Sequence, residues 1–126
     1  MGAAWPTGLR DVTESAIEVT RLFTEGQNAR DLEAVRTLVT EDVEFRNPRG
    51  TSLHGLEGLK DLLQAASDTD ILLAREGAER VEDDDELCHV AVPMRLLVRK
   101  SELHGTALFD VRDGRVAAFE VVSASD

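Results

Sequence analysis

Apolar spacing changes period along this chain, and that change limits the folds open to it. Before Asp70 the apolar residues recur three or four apart, as on one face of a helix; after it they alternate with polar residues, as on a half-buried strand. Leu9, Val12, Ala16, Val19 and Phe23 form the first helical stripe, Asp11 and Glu14 resemble a capping pair, and Gly26 is expected to end the helix. Asp31 can cap a second helix with Leu32, Val35, Leu38 and Val39 buried. Gly55 precedes a third, whose face carries Leu56, Leu59, Leu62, Leu63 and Ala66.

One strand interrupts this helical half. In DVEFRNPRGTSLHGLEGLKDLL, from Asp42 to Leu63, Val43, Phe45 and Asn47 share a strand face, so an amide stands where the apolar series was heading. Such a placement sets a hydrogen-bonding group at the lip of an apolar cavity. Asn47-Pro48-Arg49-Gly50 is turn chemistry, because proline fixes φ and glycine tolerates positive φ.

Four strands are expected beyond Asp70: Ile71–Val81, Leu87–Val98, Leu103–Val111 and Val116–Ser123. The acidic run from Glu82 to Glu86 reads as a solvated hairpin tip, and Arg112-Asp113-Gly114-Arg115 as a two-residue hairpin turn. Helices first and an antiparallel meander afterwards make an α+β pattern, with helices on one face of the sheet. The 126 residues suit one domain and contain no repeat or low-complexity linker, with residues 1–8, Trp5 among them, as an N-terminal arm that either folds over the domain or a partner subunit or trails as a tail.

Charge narrows the partners. With 25 acidic residues against 14 basic, the net charge of −11 repels phosphate backbones and anionic headgroups, so neither nucleic acid nor membrane is expected. The opening residues lack a signal-peptide pattern, no apolar run approaches a bilayer span, and the single cysteine, Cys88, fits a reducing compartment; a cytoplasmic protein is expected.

LFTEGQNARDLEAVRTLVTEDVEFRNPRG resembles the opening of nuclear transport factor 2-like domains, the superfamily of ketosteroid isomerases, SnoaL-like polyketide cyclases and limonene epoxide hydrolases. His54-Gly55 before a helix and the closing DVRDGRVAAFEVV are similar to that superfamily too, so the likeness runs from about Val12 to the end. It implies a cone-shaped α+β fold in which a curved, mostly antiparallel sheet wraps the helices around an apolar pocket, and a homodimer joined through the outer sheet face. Leu87, Ala91, Leu97 and Leu108 have the parity for that outer face.

Laid on the superfamily's pattern, the isomerase base falls on Asn47, the oxyanion tyrosine on Phe23 and the oxyanion acid near Ala107. An amide cannot take up a proton at neutral pH, and neither phenylalanine nor alanine donates a hydrogen bond, so that mechanism is absent. CHVAVPMRLLV and AAFEVVS likewise lack the arginine between two acids that epoxide hydrolysis needs. The remaining reading is a SnoaL-like domain that binds a small hydrophobic ligand, with an isomerase or cyclase acting on such a molecule, and a dimerisation module with a vestigial pocket, as alternatives.

Strand parity turns Ala107 and Phe109 inward, whereas on the last strand the resemblance turns Phe119, Val121 and Ser123 inward and parity leaves Val116, Ala118 and Val122 equally eligible. Phe23, Phe45, Phe109 and Phe119 are then all inward, as core or as cavity lining. Leu59, Leu63 and Met94 complete the expected pocket wall, with Asn47 and His54 at its lip. His54 and Arg95 join Asn47 as candidate catalytic groups. Arg95 turns inward only if Pro93 makes a bulge that resets the strand, and His54 can equally tie its loop to backbone carbonyls. His89 and His104 are expected outside, Cys88 inside, and no spacing calls for a metal or a cofactor.

Overall fold

A computed structural model describes residues 7–46, 52–84 and 86–123, side chains included from Glu14 to Val122. Asn47 and the turn after it, Trp5 with its arm, Asp85, and the side chains of Leu9, Asp11, Val12 and Ser123 lie outside the described residues. In chain order the elements are α1 (Thr7–Asn28), α2 (Leu32–Arg36), β1 (Val39–Arg46), β2 (Ser52–His54), α3 (Gly55–Thr69), β3 (Ile71–Arg75), β4 (Arg80–Asp84), β5 (Leu87–Val98), β6 (Ser101–Arg112) and β7 (Arg115–Ser123). The sheet runs β2-β1-β7-β6-β5-β3, with β4 also on β5; every pairing is antiparallel except β1 with β7. Its inner face holds the helices and the core, as the α+β cone requires.

Gly26 does not end α1. A Cβ there would sit 2.6 Å from Val35 Cγ2, so the glycine serves close approach of α2 to α1, and the helix runs on to Asn28. The stop comes at Arg30, at φ 57°, where Asp31 N donates to Gly26 O (2.9 Å) and Arg30 N to Gln27 O (3.0 Å), the double bond of a Schellman motif. Arginine tolerates this left-handed position because its guanidinium is used. Nη1 donates to Gln27 O (2.9 Å), and Nη2 to Ala66 O (2.9 Å) and Ile71 O (2.7 Å), clasping the ends of α1 and α3 to the start of β3. Asp31 caps α2 as expected, accepting from Ala34 N at 3.1 Å. That helix is shorter than its apolar stripe: it stops at Arg36, and Val39 opens β1 instead.

Three other elements depart from their expected form. Ser52–His54 is a short strand paired with β1, unrecognised because three residues carry no readable period. Leu56, in the first turn of α3, is exposed; Leu59, Leu63 and Ala66 carry the buried face. The expected strand over Ile71–Val81 is two strands, β3 and β4, separated by residues 76–79. Pro93 explains the break. Proline has no N–H for a ladder, and it stands in β5 opposite the gap, where only its carbonyl is used, by Glu76 N at 2.9 Å. The interruption thus falls on the neighbouring strands, and β5 keeps continuous register with β6 from Cys88 to Val98.

The ambiguity on β7 has a local cause. Asp110 pairs with Ala118 and Val111 with Val116, so Ala117 is an extra residue, and the bulge puts Val116 on the same inner face as Phe119. Before β7 the chain turns through Asp113 (φ 53°) and Gly114 (φ 78°), the two positive φ values that a tight hairpin of this kind demands. The edge strand β3 is covered at its centre by the Asn28 amide, which gives a hydrogen bond to Leu73 O (2.8 Å) and takes one from Leu73 N (2.9 Å), as a neighbouring strand would.

Arg30→Gly separates the clasp from the turn. Glycine suits the backbone better there, yet removing the guanidinium takes a donor from four carbonyls, those of Gln27, Asn28, Ala66 and Ile71, and a loss of about 2 kcal/mol is expected in urea denaturation. Equal or higher stability of the variant would mean that the turn geometry alone matters.

Candidate functional site: an apolar cavity over a phenylalanine cluster

Between α3 and the sheet lies a cavity of about 360 Å³. Phe45 of β1 and Phe119 of β7, directly paired in register, line its inner end; Leu62 and Ala65 of α3 form one wall and Leu53 of β2 another. Leu96, Leu103 and Val121 supply the sheet side, with Arg46 and His104 as the polar residues among the described members of the lining. Leu103, an inner-face residue by parity, is 53% exposed because it stands where the cavity opens.

Behind Phe45 and Phe119 the space is filled. The Phe23 ring centre lies 4.9 Å from Phe119, 5.6 Å from Phe109 and 6.4 Å from Phe45, and Phe109 lies 5.0 Å from Phe119. Phe23, Leu59, Leu63, Met94, Ala107 and Phe109 are buried in the closed core adjoining the cavity and are absent from its lining, whereas Phe45, Phe119 and Val121 line it. The four phenylalanines are therefore divided: two are core alone, and two are core on one side and cavity on the other.

His54 is exposed at the junction of β2 and α3, paired in register with Glu44, and makes no side-chain cap to the helix. Arg95 stays on the outer face because Pro93 makes no bulge in β5; its Nη1 is 3.6 Å from Glu102 Oε2. Neither lines the cavity. His104, expected outside, shares the outer face with its cross-strand partner Arg95 and donates through Nδ1–H to Glu76 Oε2 at 2.9 Å, and the residue borders the cavity as well. Leu96 and Leu103 were legible as extensions of the Met94 and Gly105 parities, while Leu53 was hidden with its strand. Cys88 is buried, and burial, with Asp83 nearby, pushes its thiol above the usual range, which leaves it little thiolate for chemistry.

The outer face carries a charged network instead of a site of this kind. His89 Nδ1 is 2.6 Å from Asp110 Oδ1, its Nε2 is 3.7 Å from Asp84, and Arg46 lies 3.8 Å from Asp110, 3.8 Å from Glu120 and 3.3 Å from Glu44. The Asp110 hydrogen bond, with Asp84 adding to it, holds the imidazole above the usual histidine range.

Residues 19–119 match the SnoaL-like domain family, and the chain belongs to that family. The fold is that of the nuclear transport factor 2-like superfamily. A candidate polyketide cyclase from Sinorhizobium meliloti superposes with a TM-score of 0.72 at 18% identity, over 83% of this chain and 94% of the other. A candidate ketosteroid isomerase from Kribbella flavida does so with 0.68 at 23%, over 90% and 82%. A computationally designed 17-OHP binder gives 0.73 at 17%, over 89% and 92%. No curated protein sequence matches the chain. At these identities the structural likeness establishes the fold, and the chemistry has to come from the residues.

The His89 pair makes stability depend on pH. Because the folded value is raised, the folded chain binds a proton that the unfolded chain releases near pH 6.5. The pair's contribution is therefore full below that pH and is lost as pH rises through the folded value. Subtracting the His89→Gln stability from that of the wild type across pH 5 to 9, by urea denaturation, should give a difference that declines with pH; a level difference contradicts the pairing.

Proposed function

We propose that this SnoaL-like domain binds a small hydrophobic molecule in the cavity over Phe45 and Phe119. The observation that carries the reading is the lining: among the described residues, eight of the ten that line the cavity are apolar, and none is an aspartate or glutamate that could serve as a base. Apolar surface with few polar groups is what recognition of a hydrophobic ligand needs, since burial drives binding and the polar groups orient it. Neither metal nor cofactor enters this reading, and a cytoplasmic location accords with the buried, unreactive thiol of Cys88. Among the described residues no helix is long and apolar enough to cross a membrane.

A second reading, an isomerase or cyclase, is favoured by one feature. His104 is among the residues that line the cavity, and Glu76 holds its ring by Nδ1, an arrangement in which an imidazole can move protons. His104→Gln separates the readings: a binding domain keeps its ligand affinity, whereas an enzyme of this kind loses turnover.

The same proposal includes a homodimer through the outer sheet face. There Ala91 and Leu108 are cross-strand neighbours, as are Leu72 and Leu97, and Leu72 and Leu108 are exposed. An apolar patch bordered by charge is self-complementary about a twofold axis. Light scattering at micromolar concentration is expected to give the mass of two chains for the wild type and of one for Leu108→Lys; a single-chain mass for the wild type removes the dimer.

Ligand binding is tested by a thermal-shift series of apolar compounds. A ligand at a hundredfold excess over its dissociation constant adds about 2.7 kcal/mol of stability. Ala65→Phe, which projects a ring into the cavity from the α3 wall, should abolish the shift while leaving the unliganded fold intact. A shift that survives in this variant places the ligand elsewhere.

A further inference from the structure

The cavity's dimensions and its charges restrict what can occupy it more narrowly than hydrophobicity alone. At about 360 Å³ it sits at the small end of the ~300–1,000 Å³ range of ligand pockets. Close-packed organic matter of that volume amounts to a compact ring system.

Depth is the second restriction. Phe45 and Phe119 close the inner end, and the rings behind them, Phe23 and Phe109, are buried and in contact with Phe119 at centroid distances of 4.9 and 5.0 Å. A longer molecule cannot enter further without displacing a ring from a close-packed cluster, and such overpacking is unfavourable. It can only protrude past Leu103 into water, where its remaining surface gains nothing from burial.

Charge is the third. Among the described residues of the lining, the polar side chains are engaged elsewhere: the Arg46 guanidinium lies on the outer face with Glu44 (3.3 Å), Asp110 and Glu120 (both 3.8 Å), and His104 is held by Glu76 (2.9 Å). An anionic ligand would have to compete with those carboxylates in a chain of net charge −11, and the apolar side chains among the described lining residues offer an ionised group no partner. A hydroxyl or carbonyl, by contrast, can hydrogen-bond at the rim at little cost.

Resting on the binding reading above, we infer that the site selects an uncharged, compact hydrophobic molecule of one or two rings, and that the Phe45–Phe119 floor, backed by Phe23 and Phe109, sets the size limit. Phe119 is the residue that determines this specificity most directly, because its ring both faces the cavity and touches the two phenylalanines behind.

Isothermal titration with three probes tests the inference: 2-naphthol, its anionic counterpart 2-naphthoate, and the four-ring steroid progesterone. The wild type is expected to bind 2-naphthol at least about tenfold more tightly than either of the others. Phe119→Ala should narrow or reverse the preference over progesterone, and Ala65→Phe should weaken 2-naphthol by about tenfold or more. If wild type binds progesterone as tightly as 2-naphthol and Ala65→Phe blocks both, the size limit is overturned while the cavity remains a ligand site. Preference for 2-naphthoate overturns the exclusion of anions. If none of the probes binds, or Ala65→Phe leaves binding unchanged, the binding reading itself fails. Should Phe119→Ala not fold, Phe119→Leu and the wild-type order of the three probes decide the matter.

Discussion

Four phenylalanine rings, one each from α1, β1, β6 and β7, meet where the helical layer rests on the sheet, and the rest of the structure is built around that contact. Phe109 and Phe119 are direct cross-strand partners, Phe45 and Phe119 are partners in the parallel pair, and Phe23 descends from the helix onto all three. Each aromatic pair adds about 0.5–1.5 kcal/mol beyond the area it buries, and truncating a buried phenylalanine costs about 3–5 kcal/mol. The cluster thereby fixes the height of α1 above the sheet. It also fills the interior behind Phe45 and Phe119, and the cavity lies on the side of these two rings that faces α3.

Polar groups keep this apolar arrangement in register. Arg30 satisfies carbonyls at the ends of two helices and one strand, and Asn28 substitutes for a missing strand at Leu73. Thr20 and Thr24, buried on α1, return their hydroxyls to backbone carbonyls of the same helix at 2.7 and 2.8 Å, so the helix presents no unpaired hydroxyl to the core from either position. The sheet achieves its curvature through local irregularities, the bulge at Ala117 and the gap facing Pro93, and each leaves the main β5–β6 ladder unbroken.

Much of this was legible in the sequence, and the departures have definite physical causes. Alternation along Cys88–Met94 and Gly105–Val111 identified the inner face because both strands run without a break. It failed on β7, where one extra residue reverses parity between Val116 and Phe119. Gly26 was read as a terminator because glycine favours positive φ; here it was chosen for the absence of a side chain against Val35. Pro93 signalled an irregularity correctly, but in the strand beside it, and pairing partners cannot be seen in a single strand's residues. The cavity was legible as an inward convergence of phenylalanines, while its division into filled core and open space depends on the angles and distances between rings. Those follow from packing the whole fold, and no local pattern encodes them.

The most direct test of the account is methyl NMR of leucine during titration with 2-naphthol, because an aromatic ligand shifts the resonances of methyl groups against which it packs. The account predicts progressive shifts at Leu53, Leu62, Leu96 and Leu103, which surround the cavity, with Leu73 in the core and Leu108 on the outer face unmoved. Shifts confined to Leu108 and Leu72, or none at a saturating concentration, would contradict it.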